Sequence, residues 1–280
     1  MVSSVRRWSG ADNRSRQLLH FAPMILTIGL PNMVSLWHRI RSQTSRNLDD
    51  AYYGRDEIAA LQETMMSKNP NLTLSGPDLA ALLCSRVCHD VISPVGAINN
   101  GLELLDEGGA DSDAMDLIRT SALNASVRLK FARLAFGASG SVGASIDTGE
   151  AERAAKDFAL AEKKTEVIWN GPRAIVAKNR VKLLLNLFLV AYSSIPRGGV
   201  LEVTLENPEF DAKFTLTAKG KMMRLPPKFV EISTGTIEEA IDAHSIQPYY
   251  TVLLAEECGM TLDHSASPDE LVFKAVVAAD

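Results

Sequence analysis

Apolar positions repeat at helical spacing on both sides of a short break at Gly108-Gly109. Ser75-Gly76-Pro77-Asp78 is typical of a helix start, because serine caps unpaired N–H groups and proline suits the first turn. The pattern predicts one helix over 75–107 and a second over 112–136. Two helices joined by so short a connection form an antiparallel hairpin. The repeating apolar residues are Leu79, Leu82, Leu83, Val87, Val91, Ile98, Leu102 and Leu105, then Leu117, Ile118, Leu129 and Leu134.

The hairpin has more apolar surface than two helices can cover. The apolar stripe that faces away from each helix's own partner needs another helix to pack against. The simplest source of that helix is a second copy of the chain, in a symmetric dimer that forms a four-helix bundle. The sequence therefore predicts a homodimer.

After the hairpin the pattern changes to alternating helices and strands. Residues 138–149 are rich in glycine, serine and alanine, which predicts a linker. The segment that follows reads as an α/β sandwich, so the predicted fold class is α + α/β. Helices are predicted over 148–163, 180–194, 236–243 and 248–258, and strands over 166–169, 175–177, 200–206, 213–218 and 271–277.

Residues 1–74 have no long periodic pattern and are predicted to be a poorly ordered extension, with one short helix over 56–66. The apolar stretch 21–36 is interrupted by prolines and is shorter than the roughly 20 residues that a spanning helix needs. No membrane anchor is expected from it. Met65 and Met66 leave open a second interpretation, in which translation begins there. The predicted domains are thus 1–74, the hairpin at 75–137, the linker at 138–149 and the α/β domain at 150–280.

Composition narrows the functional classes. The net charge is −5, with 46% hydrophobic and 22% charged residues, as in an ordinary soluble protein. Residues 1–74 carry +3 and the remainder −8, so the chain has no broad attraction to nucleic acid or to anionic membranes. Three cysteines do not make a disulfide framework and fit a reducing cytoplasm, where they would be free thiols.

The most informative segment is His89-Asp90-Val91-Ile92-Ser93-Pro94, inside the first predicted helix. A proline within a helix destabilises it by about 3 kcal/mol, which suggests that this position serves a function rather than helix stability. The segment resembles the phosphoacceptor box of bacterial sensor histidine kinases, usually His-Asp/Glu-x-x-Thr/Asn-Pro-Leu. This resemblance implies that His89 is a phosphorylated nucleophile and that Asp90 orients or polarises it. Ser93 falls where relatives carry a polar residue associated with phosphatase activity.

The second domain resembles the nucleotide-binding domain of the same kinases around Asn186 and Pro196-Arg197-Gly198-Gly199. The family motif is Asn-Leu-Leu-x-Asn-Ala-x-Lys-Phe-Thr-Pro-x-Gly-Gly, in which the second asparagine holds magnesium. Val190 stands at that asparagine and Ser193 at the lysine. A valine side chain cannot coordinate a cation that demands oxygen ligands.

Two further nucleotide motifs are altered. The family's Asp-x-Gly-x-Gly box is replaced by Ala218-Lys219-Gly220-Lys221-Met222, with alanine where the adenine-binding acid would stand. The glycine-rich phosphate loop is replaced by Ile246-Gln247-Pro248-Tyr249-Tyr250, whose bulky side chains would block backbone N–H groups from phosphate. The resemblance therefore implies a degenerate Bergerat-type domain, like a histidine kinase ATPase domain but without ATP.

A phosphoacceptor hairpin joined to such a domain is similar to the ChpT-type histidine phosphotransferases of α-proteobacteria, over residues 75–280. The resemblance implies a cytoplasmic phosphorelay enzyme that takes phosphate from a hybrid kinase receiver and gives it to response regulators, including those that control the cell cycle. It implies no cofactor on this chain, with Mg²⁺ on the partner receiver. Arg86 and Pro94 are expected at the receiver-docking surface, where Arg86 would pair with receiver acids and Pro94 would bend the helix.

Other interpretations stay open. The chain could be an autophosphorylating histidine kinase with a diverged ATP site, or a non-catalytic scaffold that binds receiver domains. Cys84, Cys88 and His89 could hold zinc, but no fourth ligand stands nearby, so no metal site is predicted. The remaining histidines have no acidic or serine companions and are read as solvent-exposed or structural: His20, His38, His244 and His264.

Overall fold

Two long helices form the predicted hairpin: α1 (Gly76–Asp106) and α2 (Ser112–Ala135). The computed structural model describes residues 73–107, 112–137, 145–162 and 164–277. Ser75 caps α1, since its hydroxyl oxygen accepts a hydrogen bond from the backbone N–H of Asp78. Gly101 is buried where the helices approach, and a Cβ added there would lie 2.6 Å from a side-chain carbon of Ile118. Glycine therefore permits the close contact of α1 with α2.

An α/β domain follows the hairpin. Its sheet has the strand order β2-β4-β5-β7-β6; β2 pairs with β4 in parallel and the other neighbours are antiparallel. Strands β1 and β3 make a separate antiparallel pair. The elements in chain order are β1 (Ser145–Asp147), α3 (Thr148–Glu162), β2 (Thr165–Asn170), β3 (Ile175–Ala177), α4 (Lys178–Ser193), β4 (Gly199–Glu206), β5 (Lys213–Lys219), α5 (Pro227–Ser233), α6 (Ile246–Glu257), β6 (Met260–Ala266) and β7 (Leu271–Val277).

The core lies between the sheet and the helices that cover one of its faces. Alternate residues of β4, β5 and β7 are buried, as the two-residue period of a strand requires when one face is covered. Leu216 and Phe273 are paired across β5 and β7, and both are fully buried. Helix α4 packs on these strands and is buried along most of its length.

A turn at Gly198 and Gly199 brings β4 beside β2. Gly198 has a φ of 80°, and a Cβ at this position would lie 1.8 Å from the carbonyl oxygen of Lys164. The backbone N–H of Gly199 donates to that same oxygen at 3.0 Å. Only glycine fits Gly198 for both reasons, which explains why the turn can persist when the surrounding nucleotide motif has changed.

The hairpin shares its core with the α/β domain. The ring of Phe131 on α2 is 2% exposed and lies with its centroid 4.8 Å from that of Phe158 on α3 and 5.8 Å from that of Phe188 on α4. On the other helix, Leu79 and Leu83 of α1 pack against a second apolar cluster. That cluster consists of Ile232, Ile237, Ile241, Ile246 and Tyr249.

Most predicted elements are present within a few residues, and three differences have physical causes. The helix predicted over 236–243 is wrong, because irregular chain instead carries Ile237 and Ile241 into the second cluster. Helix α5 and strand β6 were not predicted. The C-terminal end of the predicted linker is wrong as well: residues 145–147 form β1, whose Ile146 is buried opposite Val176 of β3.

Several predictions concern residues outside the described ranges. They are the poorly ordered extension before residue 73, the helix over 56–66, the apolar stretch 21–36, the alternative start at Met65 or Met66, and the two histidines His20 and His38.

Candidate functional site

His89 is displayed on the surface of α1, with 75% of its side chain exposed. It lies on the flank of the helix, away from the face that α1 turns toward α2 and the second apolar cluster. An imidazole placed there can be reached by another protein without any rearrangement of the core. Exposure alone is common for histidine, so the neighbouring groups decide what this ring can do.

Asp90 connects His89 to Arg86. Its Oδ1 lies 3.5 Å from Nδ1 of His89, a long contact, and its Oδ2 accepts a hydrogen bond from Nε of Arg86 at 3.0 Å. Arg86 and Asp90 are one turn apart, so they form an i,i+4 salt bridge on the helix surface. The carboxylate is thus held in place on one side and faces the imidazole on the other. Arg86 was expected to pair with acids of a partner, and the structure gives it a partner within its own helix.

Ser93 and Pro94 follow one turn later. Ser93 is exposed and lies at position i+4 from His89, on the same side of the helix. Pro94 is half-buried within α1, which continues through it to Asp106. Because proline has no N–H, it cannot donate to the carbonyl four residues earlier, which belongs to Asp90. Ser93 therefore shares a side of the helix with His89, and the bend expected at Pro94 stays a prediction.

A cleft between the hairpin and the α/β domain was not predicted. It has a volume of about 550 Å³ and is lined on the hairpin side by Arg86 and Arg128. The opposite wall includes Lys164, Tyr192 and Lys228. Arg86 also pairs with Asp90, so the cleft adjoins the histidine site through a shared side chain. No local sequence motif could have revealed it, because its walls come from distant segments.

Ion pairs occupy the cleft's walls. Arg128 of α2 pairs with Glu162 of α3, and its guanidinium carbon lies 5.8 Å from the centroid of the Phe158 ring. Burial raises the pKa of the nearby Tyr192 hydroxyl, and the negative charge of Glu162 adds to that shift. Lys228 bonds two carboxylates of its own domain. The cations of the cleft are therefore largely matched by anions, and the surface is mixed rather than strongly basic.

The positions that align with the nucleotide-binding motifs of histidine kinases lie in the core. Val190 and Ala218 are buried among apolar residues. Gln247 is also buried, and its Nε2 donates to the backbone carbonyl of Asn186 at 2.8 Å. Tyr250 is 9% exposed, and burial raises the pKa of its hydroxyl to about 12. The side chains at these positions are therefore part of the packed core. A nucleotide site would require other residues in their place.

Cys84 and Cys88 are exposed free thiols one turn apart on α1. A hydrogen bond that the Cys88 thiol donates to Cys84 raises the pKa of the Cys88 thiol. Among the described residues, no group of three or more histidine, cysteine, aspartate or glutamate side chains is arranged to hold a metal ion. The zinc interpretation therefore gains no geometric support from the described part of the chain.

Comparison with known proteins identifies the family. The family model for the histidine phosphotransferase C-terminal domain matches residues 148–270. Protein phosphotransferase ChpT of Brucella abortus (strain 2308) is 58% identical over 205 residues, which are 73% of this chain and 98% of that protein. This chain belongs to the ChpT family of protein phosphotransferases. A solved bacterial phosphotransferase structure at 1.7 Å is similar to it, with 58% identity and a TM-score of 0.69 over 72% of this chain and 98% of that one.

Membership of the ChpT family confirms the family resemblance drawn from the motifs, together with the phosphotransferase class. The predicted fold is confirmed at the level of a helical region followed by an α/β sheet domain. The roles of His89, Asp90, Ser93, Arg86 and Pro94 stay predictions.

Proposed function

We propose that this ChpT-family chain works in a multistep phosphorelay through His89. The ring would take a phosphoryl group from a receiver aspartate of a hybrid kinase and pass it to the aspartates of response regulators. The observation that carries the proposal is an exposed imidazole whose Nδ1 faces a fixed carboxylate, in a chain of a phosphotransferase family. A cytoplasmic location belongs to the same proposal, since receivers of this kind act there.

The arrangement of Asp90 suits a nucleophilic imidazole. A carboxylate facing Nδ1 favours the tautomer with its proton on that nitrogen, which leaves the lone pair of Nε2 free. Nε2 attacks the phosphorus of the aspartyl phosphate, a P–N bond forms, and the P–O bond to the receiver carboxylate breaks. The ring then carries a positive charge that Asp90 stabilises. In the second transfer an acceptor carboxylate oxygen attacks phosphorus and the P–N bond breaks.

Little further chemistry is required from this chain. Phosphoryl transfer has a loose transition state whose charge is spread over the phosphoryl oxygens, so positioning and electrostatic stabilisation dominate. The receiver would bring Mg²⁺ and its own cationic side chain, which leaves this protein to hold His89 in line. Ser93, on the same side of the helix, would contact the docked receiver or its phosphoryl group.

We propose further that the α/β domain is a degenerate Bergerat-type domain that binds no nucleotide. Three features support this: Val190 offers no oxygen to Mg²⁺, Ala218 has no carboxylate for adenine, and Gln247 is already hydrogen-bonded in the core. Opening a phosphate site would require α6 to lose buried contacts at Tyr249 and Tyr250. Energy for transfer would come from the incoming acyl phosphate.

Exposed apolar residues on the hairpin support a homodimer. Ala81, Cys88, Val95 and Leu102 recur every seven residues on α1, and all four are exposed. Met115, Ala122 and Leu129 do the same on α2. This spacing is typical of helices that pack side by side, and two hairpins would cover both stripes in a four-helix bundle.

The same stripe explains why α1 meets the length and composition criteria for a membrane span. Its most apolar window has a mean hydropathy of 1.3 and is 0% buried within the described residues. One such helix is weak evidence for a membrane protein, because helices that pack in soluble assemblies meet the same criteria. Burial against a second copy accounts for the apolar residues without a bilayer.

Reconstitution with purified receiver domains tests the proposal. A receiver carrying labelled phosphate should transfer the label to this chain and then to a second receiver, and His89→Gln should abolish both steps. His264→Gln is the matched control, because this half-buried histidine lies on β6 of the α/β domain and should leave transfer unchanged. Label appearing on His89 from ATP alone would favour an autophosphorylating kinase. Receiver binding without transfer in either direction would favour a scaffold.

A further inference from the structure

Asn186 joins the hairpin to the α/β domain by a buried hydrogen bond. The residue lies on α4 and is 0% exposed. Its Nδ2 donates to the carbonyl oxygen of Ala135 at 2.9 Å and to that of Lys182 at 2.9 Å. Ala135 is the last residue of α2, and Lys182 is one turn earlier in α4. One side-chain amide therefore bridges two helices that come from different parts of the chain.

Asn186 is held in turn by α6. Nε2 of Gln247 donates to the backbone carbonyl of Asn186 at 2.8 Å and lies 3.4 Å from its Oδ1. Gln247 is itself fixed, because its Nε2 also donates to Oγ1 of Thr251 at 3.1 Å, and that hydroxyl donates to the carbonyl of Gln247 at 2.9 Å. The three polar side chains are buried together. They form a hydrogen-bonded network that ends on the hairpin, at Ala135.

The bond to Ala135 satisfies a group that the helix itself leaves unpaired. The last carbonyls of an α-helix have no N–H four residues ahead to accept from. A buried carbonyl without a partner destabilises its surroundings strongly, whereas a buried network with every member bonded specifies one arrangement. Ala135 is fully buried, so water cannot replace Asn186 there. The end of α2 is consequently tied to α4 at one position.

That tie joins the two helices that contribute opposite walls of the cleft. Arg128 lies two turns before Ala135 on α2 and lines the hairpin wall, while Leu189 and Tyr192 on α4 line the opposite wall. A rotation of α2 against α4 would change the width of the cleft and the angle from which a docked protein meets His89. Apolar contacts such as Phe131 with Phe188 resist separation of the helices but constrain their rotation less than a directional hydrogen bond does.

We propose that Asn186, at the position where the resembling motif has a nucleotide-domain asparagine, is a positioning residue that locks the α/β domain to the base of the hairpin and so fixes the surface that a receiver meets beside His89. The inference rests on the proposed function, because it assumes that a receiver docks beside His89, and it adds that the receiver also meets the cleft. A kinase has to bring nucleotide on one domain to a histidine on the other. This chain would bind no nucleotide, so a fixed angle between the hairpin and the α/β domain is compatible with its chemistry.

Two variants test the lock against one control. Asn186→Leu keeps the branched shape of the side chain and removes the donor, and Asn186→Ser leaves a smaller side chain whose hydroxyl is too short to reach Ala135. Thr251→Val is the matched control, because it removes a buried hydroxyl from the same network without touching the hairpin. Four quantities are measured. They are the hydrogen-exchange rates of the Phe136 and Gly137 amides, the receiver concentration at half-maximal transfer, the maximal transfer rate, and the rate of phosphorylation by phosphoramidate, which needs no docking.

If Asn186 fixes the two parts of the molecule, its loss should change amide exchange and receiver docking but not the rates of transfer. Asn186→Leu should speed exchange of the Phe136 and Gly137 amides, which bond carbonyls in the last turn of α2. It should raise the half-saturating receiver concentration about tenfold, as expected from losing one well-formed buried hydrogen bond. The maximal rate and the phosphoramidate rate should stay within about twofold, and Thr251→Val should change none of them. Asn186→Ser should act in the same direction if Asn186→Leu does not fold.

Opposite results overturn the inference. It fails if the variants exchange and dock like the parent chain, if exchange speeds up while docking is unchanged, or if Thr251→Val raises the half-saturating concentration equally. If the parent chain accepts phosphate from no receiver, the proposed function fails on its own. In that case the equilibrium dissociation constant of the unphosphorylated receiver is measured instead of the half-saturating concentration. Unchanged binding by the Asn186 variants would reject the proposed role of Asn186.

Discussion

Asp90 accepts a hydrogen bond from Arg86 at 3.0 Å and presents its other carboxylate oxygen to Nδ1 of His89 at 3.5 Å. The three residues lie within one turn of α1, so their alignment requires no contact from elsewhere in the fold. Arg86 also lines the cleft beside the hairpin. The relationship makes Asp90 the centre of the site and leads to separate predictions for it and for Arg86.

Replacing Asp90 by asparagine should slow transfer without preventing docking. Asp90→Asn keeps the shape but removes the charge that would stabilise the phosphorylated ring. We expect the maximal rate to fall roughly tenfold to a hundredfold, and the half-saturating receiver concentration to change by less than about twofold. Single-turnover transfer from a phosphorylated receiver measures both. Asp106→Asn, at the exposed end of the same helix, is the control, and an unchanged rate in Asp90→Asn would show that the carboxylate is not used.

Arg86 should act through Asp90. If its main role is to hold that carboxylate, Arg86→Gln should slow transfer less than Asp90→Asn does. The double variant should be no slower than Asp90→Asn alone, because residues that act as one unit are not additive. A double-mutant cycle on the maximal rate provides the measurement. Additive effects would instead assign Arg86 an independent role, such as direct contact with the receiver.

A charge in the hairpin stripe should separate the proposed dimer. Val95 is 41% exposed and Leu129 is 49% exposed in the single chain, although both are apolar. Val95→Glu or Leu129→Glu should convert a dimer to a folded monomer, because the new carboxylate would be buried without a partner. Light scattering during size-exclusion chromatography gives the mass, and circular dichroism shows whether the fold is kept. Ile175→Glu, at an exposed position of β3, should leave the mass unchanged, and a parent chain that is already monomeric contradicts the proposal.

Phe131 should be important for the stability of both parts of the molecule. Phe131→Ala removes a ring packed between Phe158 and Phe188, and it should lower the free energy of unfolding by about 3–5 kcal/mol. Because hairpin and sheet share this core, denaturant should unfold both in one transition, followed by circular dichroism. Leu160→Ala, at an exposed position of α3, should change stability by less than about 0.5 kcal/mol. Two separate transitions in the parent chain would contradict a shared core.

Alkaline pH should destabilise the fold through α6 and the residue that follows it. Burial raises the pKa of Tyr250 from 10.0 to about 12 and that of Cys258 from 9.0 to about 11. Both groups are favoured in their neutral form by folding. Their contribution is therefore complete below the ordinary pKa and is lost as the pH rises through about 9–11 for Cys258 and 10–12 for Tyr250.

The test compares urea unfolding at pH 8 and pH 10.5 in the parent chain and in a variant with Tyr250→Phe and Cys258→Ala. The variant should lose less stability between the two values. The comparison is needed because burial lowers the pKa of Lys182, which shifts stability in the opposite direction over the same range. An equal loss in both proteins would show that neither group is responsible.

Local pattern was sufficient for the helices that carry the site. The helical spacing of apolar positions predicted α1 and α2 closely, and the box around His89 depends on neighbours within one turn. Strand β6 was not predicted because four of its seven residues are polar and its stability comes from pairing with β7. The helix wrongly predicted over 236–243 also reflects contacts with distant parts of the chain. Ile237 and Ile241 are spaced as in a helix, but distant residues of the second cluster determine where they go.

The sequence by itself determined the order of chemical groups along α1: a histidine, an acid beside it, a serine one turn on and a proline that interrupts the hydrogen bonds. It also determined which nucleotide-motif positions carry residues unsuited to ATP, since valine and alanine lack the required atoms wherever they lie. Only the tertiary structure decided that Asn186 bonds the end of α2, and that the hairpin and sheet enclose a cleft beside Arg86. These contacts join residues tens of positions apart, and their formation depends on how whole elements pack rather than on the preferences of any one segment.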